Sequence, residues 1–388
     1  MTKIYYGNPI SEKGKSLFPK EYMEVAEITQ AEVALVRSKN LKDVDFGEHL
    51  LAIARAGAGV NNIPLPECAE KGIVVFNTPG ANANAVKELV IASMIMASRN
   101  IAASMDWVKG LIGDKSIAEK VEKGKADFAG QEIAGKTLGV IGLGAIGVLV
   151  ANAANSMGMK VLGYDPYISV QAAWNLSRSV THEKSLEHLF AESDFITLHL
   201  PLLPDTEKII HAEAIAKMKD GVILLNYARD LLVDEEALKE ALASGKVKQY
   251  MSDFPNMEMA GVKKVQLTPH IGASTEESEE NCAVMAVQEI MDFMENGNIK
   301  NSVNFPNCEM GKVNGIRICV LHRNIPNMIG KLAGFLGQKN CNIANMINKS
   351  RKEYAYSMFD MDGEIPEDLA QELEKMEGCL RVRVIKRG

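Results

Sequence analysis

The strongest structural signal in this chain is the stretch Leu138-Gly139-Val140-Ile141-Gly142-Leu143-Gly144-Ala145-Ile146-Gly147. A short apolar strand runs straight into G-x-G-x-x-G, and a helical pattern follows. In that setting the three glycines permit a tight turn, the close approach of a pyrophosphate and close packing of helix against strand. The free N–H groups at the start of the helix bind the anion. The pattern therefore predicts a Rossmann-like dinucleotide-binding domain.

An acidic residue stands where such a domain needs one. Asp165 lies 18 residues beyond Gly147, at the end of the apolar run 161–164. Its carboxylate can accept hydrogen bonds from an adenosine ribose and would repel a 2′-phosphate. The sequence therefore predicts NAD rather than NADP as the cofactor. A tight turn without a ligand is the alternative, and it does not require the strand, the helix and the acid together.

Strand and helix patterns alternate on both sides of this stretch. Short β-branched runs between polar, Gly- or Pro-containing segments are typical of buried strands in a parallel sheet. The predicted strands are 4–6, 33–36, 52–54, 74–76, 138–141, 161–164, 195–198, 222–226 and 248–253, with long helices at 87–100 and 276–296 and a charged surface stretch at 109–125. The fold class is thus α/β, with two doubly wound parallel-sheet domains.

The end of the chain follows a different pattern. After a linker at 297–315, strands and helices alternate as βαββαβ. We place these elements at 316–321, 328–339, 343–348, 354–359, 367–376 and 382–385. This order predicts a compact ferredoxin-like module of about 70 residues.

Composition argues against several classes of protein. The 388 residues carry 43 Lys and Arg against 50 Asp and Glu, a net charge of −7 that argues against a nucleic-acid partner. The longest uncharged apolar run, 138–151, is shorter than the roughly 20 residues of a membrane span, and the first residues lack the apolar core of a signal peptide. The six cysteines show no metal-binding spacing. We expect a soluble cytoplasmic protein with reduced thiols, without a metal and without a membrane partner.

Three residues with catalytic chemistry follow predicted strands or, for His270, a short apolar run that ends in a proline. His270 stands in the loop Thr268-Pro269-His270-Ile271-Gly272-Ala273-Ser274-Thr275, Arg229 closes the strand 222–228, and Glu258 follows Asp253 by five residues. The carboxyl ends of neighbouring strands meet where an α/β sheet binds its ligands. An imidazole, a carboxylate and an arginine gathered there could exchange a proton and bind a carboxylate substrate.

Together these motifs resemble the D-isomer-specific 2-hydroxyacid dehydrogenases, from the first strands to about residue 300. The resemblance rests on the glycine-rich stretch with Asp165, on Asn226-Tyr227-Ala228-Arg229, on Asp253 with Glu258, and on the segment 268–275. The interval of 29 residues from Arg229 to Glu258 is also that of the family. The resemblance implies that His270 accepts the proton of the alcohol, that Glu258 hydrogen-bonds the imidazole and that Arg229 binds the substrate carboxylate.

The same resemblance implies further contacts. Those with the cofactor are Thr78, Gly142, Gly144, Ala145, Ile146, Gly147, Asp165, Tyr227, Ala228, Arg229, Asp253 (facing the nicotinamide carboxamide), His270 and Ala273. The loop with Ala58 and Gly59 would offer N–H groups to the substrate carboxylate. Asp230 and Leu231 replace the family's two glycines after the arginine, and Met259 replaces a proline.

A candidate phosphate site lies in the first domain. Arg37-Ser38-Lys39 follows the strand 33–36, and two cations beside a hydroxyl suit a phosphate. Solvated loop charges are the alternative that the residues alone leave open. The segment matches the Arg-Ser-basic motif of the branch of the family that oxidises 3-phospho-D-glycerate, in which Asn82 would be a further contact. Within the family, a glyoxylate/hydroxypyruvate reductase is the alternative.

The terminal module, 316–385, resembles an ACT domain, a regulatory fold that binds amino acids at interfaces. His322, Asn324 and Asn342 have the spacing, +2 and +20, of the serine-binding residues in serine-inhibited dehydrogenases, although Asn327 stands where a glycine is usual. The resemblance implies L-serine as an effector and a homodimer or homotetramer. A non-catalytic protein that senses dinucleotide or serine is the alternative outside the enzymes, and Asp230 is the residue that favours it.

These resemblances imply three domains. The substrate-binding domain would comprise 1–98 and 272–300, the NAD-binding domain 99–271 and the ACT domain 316–388.

Overall fold

A five-stranded parallel sheet opens the chain in the structure, a computed structural model that describes residues 1–387. Its strands are β1 (Thr2–Tyr6), β2 (Tyr22–Glu24), β3 (Val33–Val36), β4 (Ala52–Arg55) and β5 (Val74–Asn77), with the helices α1 (Glu12–Lys15) and α2 (Leu65–Glu70) and a 3₁₀ turn, Ile28–Gln30. The strand order is β2-β1-β3-β4-β5, the flavodoxin-like order. Every residue of β3 is buried, which explains its uninterrupted apolar sequence. The short β2 was not predicted.

A seven-stranded parallel sheet follows. Its strands are β6 (Thr137–Ile141), β7 (Lys160–Tyr164), β8 (Thr181–His182), β9 (Phe195–Leu198), β10 (Val222–Asn226), β11 (Val247–Ser252) and β12 (Val265–Leu267). The helices are α3 (Ala83–Arg99), α4 (Ile101–Lys109), α5 (Ile117–Gly124), α6 (Ala145–Ser156), α7 (Val170–Asn175), α8 (Leu186–Glu192), α9 (Ala212–Ala216) and α10 (Glu235–Ser244), with 3₁₀ turns at Lys125–Phe128 and Asp230–Leu232. The order β12-β11-β10-β9-β6-β7-β8 reverses direction between β6 and β9, as in a Rossmann fold.

The last part of the chain is the predicted βαββαβ module, preceded by the long helix α11 (Glu276–Asn296). The module consists of β13 (Gly315–Arg323), α12 (Met328–Gln338), β14 (Asn342–Arg351), β15 (Tyr354–Asp362), α13 (Leu369–Glu374) and β16 (Cys379–Arg387). Its antiparallel sheet has the order β14-β15-β13-β16. The predicted fold class, two parallel-sheet α/β parts and a ferredoxin-like module, is confirmed.

Contacts divide the chain into two units, one of Met1–Asn82 with the chain from Glu276 onward and one of Ala83–Thr275. The sequence placed residues 83–98 with the first sheet instead. In the structure α3 buries Val86, Val90 and Met94 in the same core as Leu138 and Val140 of β6. The functional division into three domains stays a prediction.

The terminal module shares a core with the first sheet. Phe76 of β5, Phe293 of α11, Leu321 of β13 and Tyr356 of β15 belong to one apolar cluster. The phenol of Tyr356 donates to the carbonyl of Gly297, just after α11. Each Å² of apolar surface that the module and the sheet bury against each other contributes about 25 cal/mol of stabilising free energy. The module and the sheet therefore stabilise each other. No helix among the described residues has the length and apolarity to cross a membrane.

Arg317 is the largest fully buried side chain of the described chain. Its Nε and Nη2 donate to the two carboxylate oxygens of Asp360 at 2.6 and 3.0 Å. Its Nη1 donates to the carbonyls of Asn296 and Gly311, both at 2.8 Å, and Asn296 ends α11. One guanidinium thus joins the end of α11, the linker and the sheet of the module.

Replacing Arg317 by Met should lower the free energy of unfolding by about 3 kcal/mol, because it leaves the Asp360 carboxylate and the carbonyl of Asn296 without their side-chain donor. Urea unfolding followed by circular dichroism measures this. The double variant Arg317→Met/Asp360→Leu should recover much of the loss, since the unpaired charge is then removed. A single variant as stable as the unaltered protein would contradict the anchoring role.

Candidate active site

The three glycines after β6 each have a separate structural reason. Gly142 has a φ of +93°, and a Cβ there would lie 2.6 Å from the carbonyl oxygen of His199. A Cβ on Gly147 would lie 1.9 Å from the carbonyl oxygen of Gly142. A Cβ on Gly144 would meet nothing within 4 Å. The first and third glycines therefore allow the turn and its packing, and the second leaves its side of the loop open to a ligand.

The start of α6 provides the anion-binding groups. Gly144 caps this helix without a side-chain hydrogen bond, so the first N–H groups, from Ala145 and Ile146 onward, remain available to an anion. Gly144 and Ala145 are exposed, and Ile146 is half-buried. An open glycine beside free helix N–H groups fits the pyrophosphate of a dinucleotide.

Asp165 holds this loop in addition to its predicted role. Its Oδ2 accepts a hydrogen bond from the N–H of Leu143, and its Oδ1 accepts one from the N–H of Tyr167, both at 2.8 Å. The carboxylate is half-buried, and each oxygen keeps a second lone pair. These acceptors suit the hydroxyls of an adenosine ribose, so the residues present fit NAD.

Replacing Asp165 by Ala should narrow the preference for NAD over NADP, because it removes the charge that repels a 2′-phosphate. It should also raise the KM for NAD, since the N–H of Leu143 loses its acceptor. Asp165→Asn is the matched control, because it removes the charge and keeps an acceptor oxygen. Steady-state kcat/KM with both cofactors tests this, and a preference of the unaltered protein for NADP would refute it.

A buried asparagine shapes the backbone that presents Arg229. Asn226 is fully buried at the end of β10, and its Nδ2 donates to the carbonyl of Arg229 at 2.8 Å. Its Oδ1 accepts from the N–H of Ala228 at 3.2 Å. The Arg229 side chain is exposed, and its Nη1 donates to the carbonyl of Ala228 at 2.6 Å. Within residues 1–387 Arg229 forms no ion pair, with Asp230 or any other carboxylate, so its remaining donors suit a substrate carboxylate.

Asp253 organises the loop that carries His270. Its carboxylate is buried and accepts from the N–H of Ile271 at 2.9 Å, from the N–H of Gly272 at 2.7 Å and from the hydroxyl of Thr268. Three of its roughly four acceptor positions are therefore in use. The resemblance implied only a contact with the nicotinamide carboxamide, and the positioning role was missed because its partners lie 15 or more residues away.

His270 itself is exposed and has a left-handed φ of +55°. Its N–H donates to the carbonyl of Thr268 at 3.0 Å, and its ring packs edge-on against Phe254 at 5.1 Å between centroids. Asp253 thus holds the loop on both sides of His270, and Phe254 packs against the imidazole.

Glu258 does not hydrogen-bond His270 in this structure. Its Oε2 lies 3.2 Å from the Nζ of Lys239 on α10, and its side chain is 72% exposed. The loop after β11 carries Glu258 outward, where that lysine is its cationic partner. The role of Glu258 toward the imidazole stays a prediction.

The other predicted cofactor residues of this unit present mainly backbone. Tyr227 is buried, and its phenol donates to Ser93, while burial raises the pKa of Tyr227 to about 12. Ala228 is also buried, and Ala273 is half-buried against the same core as Tyr227. We therefore expect the main chain at 227–228, rather than these buried side chains, to contact a cofactor.

The predicted phosphate-binding segment is held by a residue that sequence reasoning missed. The Oδ1 of Asn8 accepts from the N–H groups of Arg37, Ser38 and Lys39, at 2.9, 3.1 and 2.9 Å. This amide fixes the turn at the end of β3. Arg37 forms an ion pair with Glu279, so the guanidinium is already directed by a carboxylate that an anionic substrate would have to displace.

Arg55 adds a third cation beside this segment. It ends β4, and its Nε donates to the carbonyl of Arg37 at 2.9 Å. A Cβ on Gly57 would lie 2.8 Å from the Nη1 of Arg55, so the guanidinium lies against the glycine loop. Arg55 was not among the predicted site residues. The sequence signal that could have identified it is an arginine at the end of an apolar strand, just before a glycine loop.

The loop with Ala58 and Gly59 is held at two points. The buried hydroxyl of Thr78 accepts from the N–H of Gly57 at 2.8 Å, and the Nδ2 of Asn77 donates to the carbonyl of Ala58 at 2.6 Å. Thr78, predicted as a cofactor contact, therefore supports the predicted substrate loop. Asn82 is half-buried and ends this part of the first unit.

The predicted effector residues do not meet within one chain. His322 pairs in register with Ala355 and Asn342 with Asp362, seven residues apart on β15, which is roughly 23 Å. Both ring nitrogens of the buried His322 have partners, the carbonyl of Arg323 at 2.8 Å and the hydroxyl of Ser357 at 2.9 Å. A single site with Asn342 would need a second copy of the chain.

The neighbouring asparagines are also engaged. Asn324 donates to the carbonyl of Lys352 at 3.0 Å, and Asn342 donates to Asp362 at 3.3 Å. Asn327 caps α12 with a left-handed φ of +61°. That conformation explains why a glycine is usual there, and asparagine is among the residues that tolerate it.

Comparisons with known proteins agree with this geometry. Residues 91–272 match the family domain described as "D-isomer specific 2-hydroxyacid dehydrogenase, NAD binding domain". This match confirms NAD as the cofactor, and it covers the glycine loop, Asp165, Arg229 and His270.

Sequence similarity to curated members of the family extends beyond that domain. A hydroxypyruvate reductase of Thermotoga maritima is 38% identical over 312 residues, which is 74% of this chain and 97% of that protein. A D-3-phosphoglycerate dehydrogenase of Haemophilus influenzae is 31% identical over 354 residues, 88% of this chain and 83% of that protein. The chain spans only 52% to 60% of the length of several other curated D-3-phosphoglycerate dehydrogenases that it matches.

A solved structure of a related enzyme shows the same similarity. The NAD⁺-bound 3-phosphoglycerate dehydrogenase of Entamoeba histolytica superposes with a TM-score of 0.59 at 32% identity, covering 78% of this chain and 98% of that one. With the glycine loop, the arginine after β10 and the histidine loop after β12 all in place, the chain belongs to the D-isomer specific 2-hydroxyacid dehydrogenase family.

Proposed function

We propose that this protein oxidises 3-phospho-D-glycerate to 3-phosphohydroxypyruvate with NAD, at the entry to L-serine synthesis. The observation that carries the proposal is the segment Arg37-Ser38-Lys39, fixed by Asn8 next to Arg55. Three cations and a hydroxyl at the carboxyl ends of two adjacent strands are suited to a phosphate on the substrate. The names of the Haemophilus and Entamoeba relatives support the same substrate.

In the proposed reaction each catalytic side chain has a specific role. Arg229 binds the substrate carboxylate, and its planar guanidinium orients the C2 hydroxyl. His270 accepts the hydroxyl proton as the C2 hydrogen leaves with its electron pair. Asp253 holds the loop that carries His270, and Phe254 packs against its imidazole. The chemistry that NAD supplies when bound is that of a hydride acceptor.

A spectrophotometric assay of NADH formation tests the proposal. The unaltered protein should reduce NAD with 3-phosphoglycerate far faster than with D-glycerate. The Thermotoga relative favours the second candidate, a hydroxypyruvate reductase, for which the unphosphorylated pair would be the better substrate. No NADH with either substrate would favour a non-catalytic sensor instead.

We also propose L-serine as an effector that binds where two terminal modules meet. His322 and Asn324 at one end of the sheet and Asn342 at the other can form one site only across two copies. Serine should therefore bind and lower activity, and serine and substrate should weaken each other's binding by the same factor. Calorimetry with L-serine on the unaltered protein and on Asn342→Ala measures this. No heat at millimolar serine would leave the module as a dimerisation device.

We further propose that the protein is a homo-oligomer in the cytoplasm. Met105, Val108 and Ile112, on α4 and just after it, are exposed apolar side chains suited to contact with a second copy. All six cysteines are free thiols, which suits a reducing compartment.

A further inference from the structure

A polar surface cavity of about 520 Å³, widely open to solvent, lies in the first unit, outside the residues assigned to substrate or effector. It is bounded by the end of β5, the linker after α11 and the end of β14. Its polar lining includes Asn77, Asn301, Ser302, Asn307, Lys349 and Arg351.

The charge of this cavity is positive. Lys349 and Arg351 form no ion pair with a carboxylate anywhere in residues 1–387, whereas Arg323 and Arg387 of the same module pair with Glu70 and Glu295. Of the residues that line the cavity, all within the described chain, none is acidic. The Nη1 of Arg351 donates to the carbonyl of Ser302 at 2.7 Å, which fixes the guanidinium at the wall and uses one of its five donors.

A buried carboxyl group that contacts the lining residue Asn301 does not cancel this charge. Glu289 of α11 accepts from the Nδ2 of Asn301 at 2.7 Å, and its other oxygen has no partner among the described residues. Burial raises the pKa of Glu289 to about 8, so the group is mostly protonated and neutral at pH 7. The cations of the cavity therefore stay uncompensated.

We propose that this cavity binds a small molecule with a doubly charged oxyanion group, a phosphate or a pair of carboxylates. Lys349 supplies a point charge, Arg351 supplies a planar donor pair, and the amide of Asn307 supplies a further donor. A site of this volume has room for a metabolite larger than the free anion.

The site is connected to the predicted substrate loop. Asn77 lines the cavity, its N–H donates to the carbonyl of Asn301 at 3.3 Å, and its Nδ2 donates to the carbonyl of Ala58 at 2.6 Å. Occupancy of the cavity should therefore change the KM for substrate more than kcat. This consequence rests on the proposed function, whereas anion binding does not.

Calorimetry with inorganic phosphate, and separately with malonate, tests the site on the full chain. The background variant Arg37→Ala/Lys39→Ala removes the other candidate phosphate site. In that background Lys349→Gln and Arg351→Gln should each weaken phosphate binding at least tenfold, because each removes a charge-assisted contact. Lys352→Gln, which removes an exposed neighbouring charge outside the cavity, should change it less than twofold. Arg351→Lys should bind phosphate more tightly than Arg351→Gln but more weakly than the arginine, because lysine keeps the charge and loses the planar donor pair.

Hydrogen exchange locates the bound anion. Phosphate should slow exchange in peptides covering 299–307 and 347–352 and leave α12 unchanged. The proposal would be overturned if neither phosphate nor malonate produced heat at millimolar concentration. It would also be overturned if Lys352→Gln weakened phosphate binding as much as Lys349→Gln and Arg351→Gln do. A lower Kd for malonate than for phosphate would identify a dicarboxylate as the natural class of ligand. A lower Kd for phosphate would identify a phosphate compound. Failure of the proposed function appears separately, as no NADH formation by the unaltered protein.

Discussion

Replacement of His270 by Ala should lower kcat by about 10²–10⁴-fold, the usual contribution of a general acid–base group, while NADH still binds. The imidazole is exposed at the carboxyl end of the sheet, where its proton can exchange with a substrate hydroxyl. NADH binds mainly through the glycine loop and Asp165, so its affinity should change little. Stopped-flow turnover and fluorescence titration with NADH measure the two quantities.

The backbone at His270 requires a second variant. Its φ of +55° is unfavourable for alanine, whereas asparagine tolerates it. His270→Asn should therefore show the same loss of kcat with the loop intact, and His188→Ala, which removes an exposed histidine paired with Glu183, should show none. Wild-type turnover in His270→Asn would exclude His270 from the proton transfer.

Removal of both Arg37 and Lys39 should lower kcat/KM for 3-phosphoglycerate by roughly 10²–10⁴-fold. Each charge-assisted hydrogen bond contributes about 1.5–3 kcal/mol, and each 1.4 kcal/mol is a factor of ten. The same double variant should use D-glycerate almost as well as the unaltered protein does, because that substrate has no phosphate.

Two further measurements sharpen this second experiment. Lys42→Ala removes a nearby exposed cation outside the segment and should leave both substrates unaffected. Glu279→Gln frees Arg37 from its ion pair and should lower the KM for 3-phosphoglycerate. Equal losses on both substrates in the double variant would reject a phosphate site and favour the reductase.

The elements of the fold were predictable because they follow from short-range patterns. The apolar runs at 33–36 and 222–226 match β3 and β10, and the βαββαβ order of the terminal module was correct along its whole length. Strands β2, β8 and β12 were missed, because each has only two or three residues and none of those residues is buried.

The candidate site was predictable in identity but not in geometry. The residues of the glycine loop act through their own backbone, so their spacing alone indicated a cofactor. Asn226 acts locally, on the main chain of Ala228 and Arg229. The supporting residues Asn8 and Asp253 have no local pattern, because each accepts hydrogen bonds from groups at least 15 residues away. The same holds for Glu258, whose observed partner is Lys239 rather than His270.

Local sequence thus specified the two parallel sheets, the terminal module, the NAD loop and the family. Periodicity and glycine spacing act over a few residues, so they can be read directly from the chain. The tertiary structure decided which groups hold the catalytic loops and which charges remain without a partner. Arg317 and Asp360 are 43 residues apart, and Asn77 and Asn301 are more than 200 apart, so only folding brings each pair together. The same reason applies to Lys349 and Arg351, which became a candidate anion site only once β14 lay beside the linker.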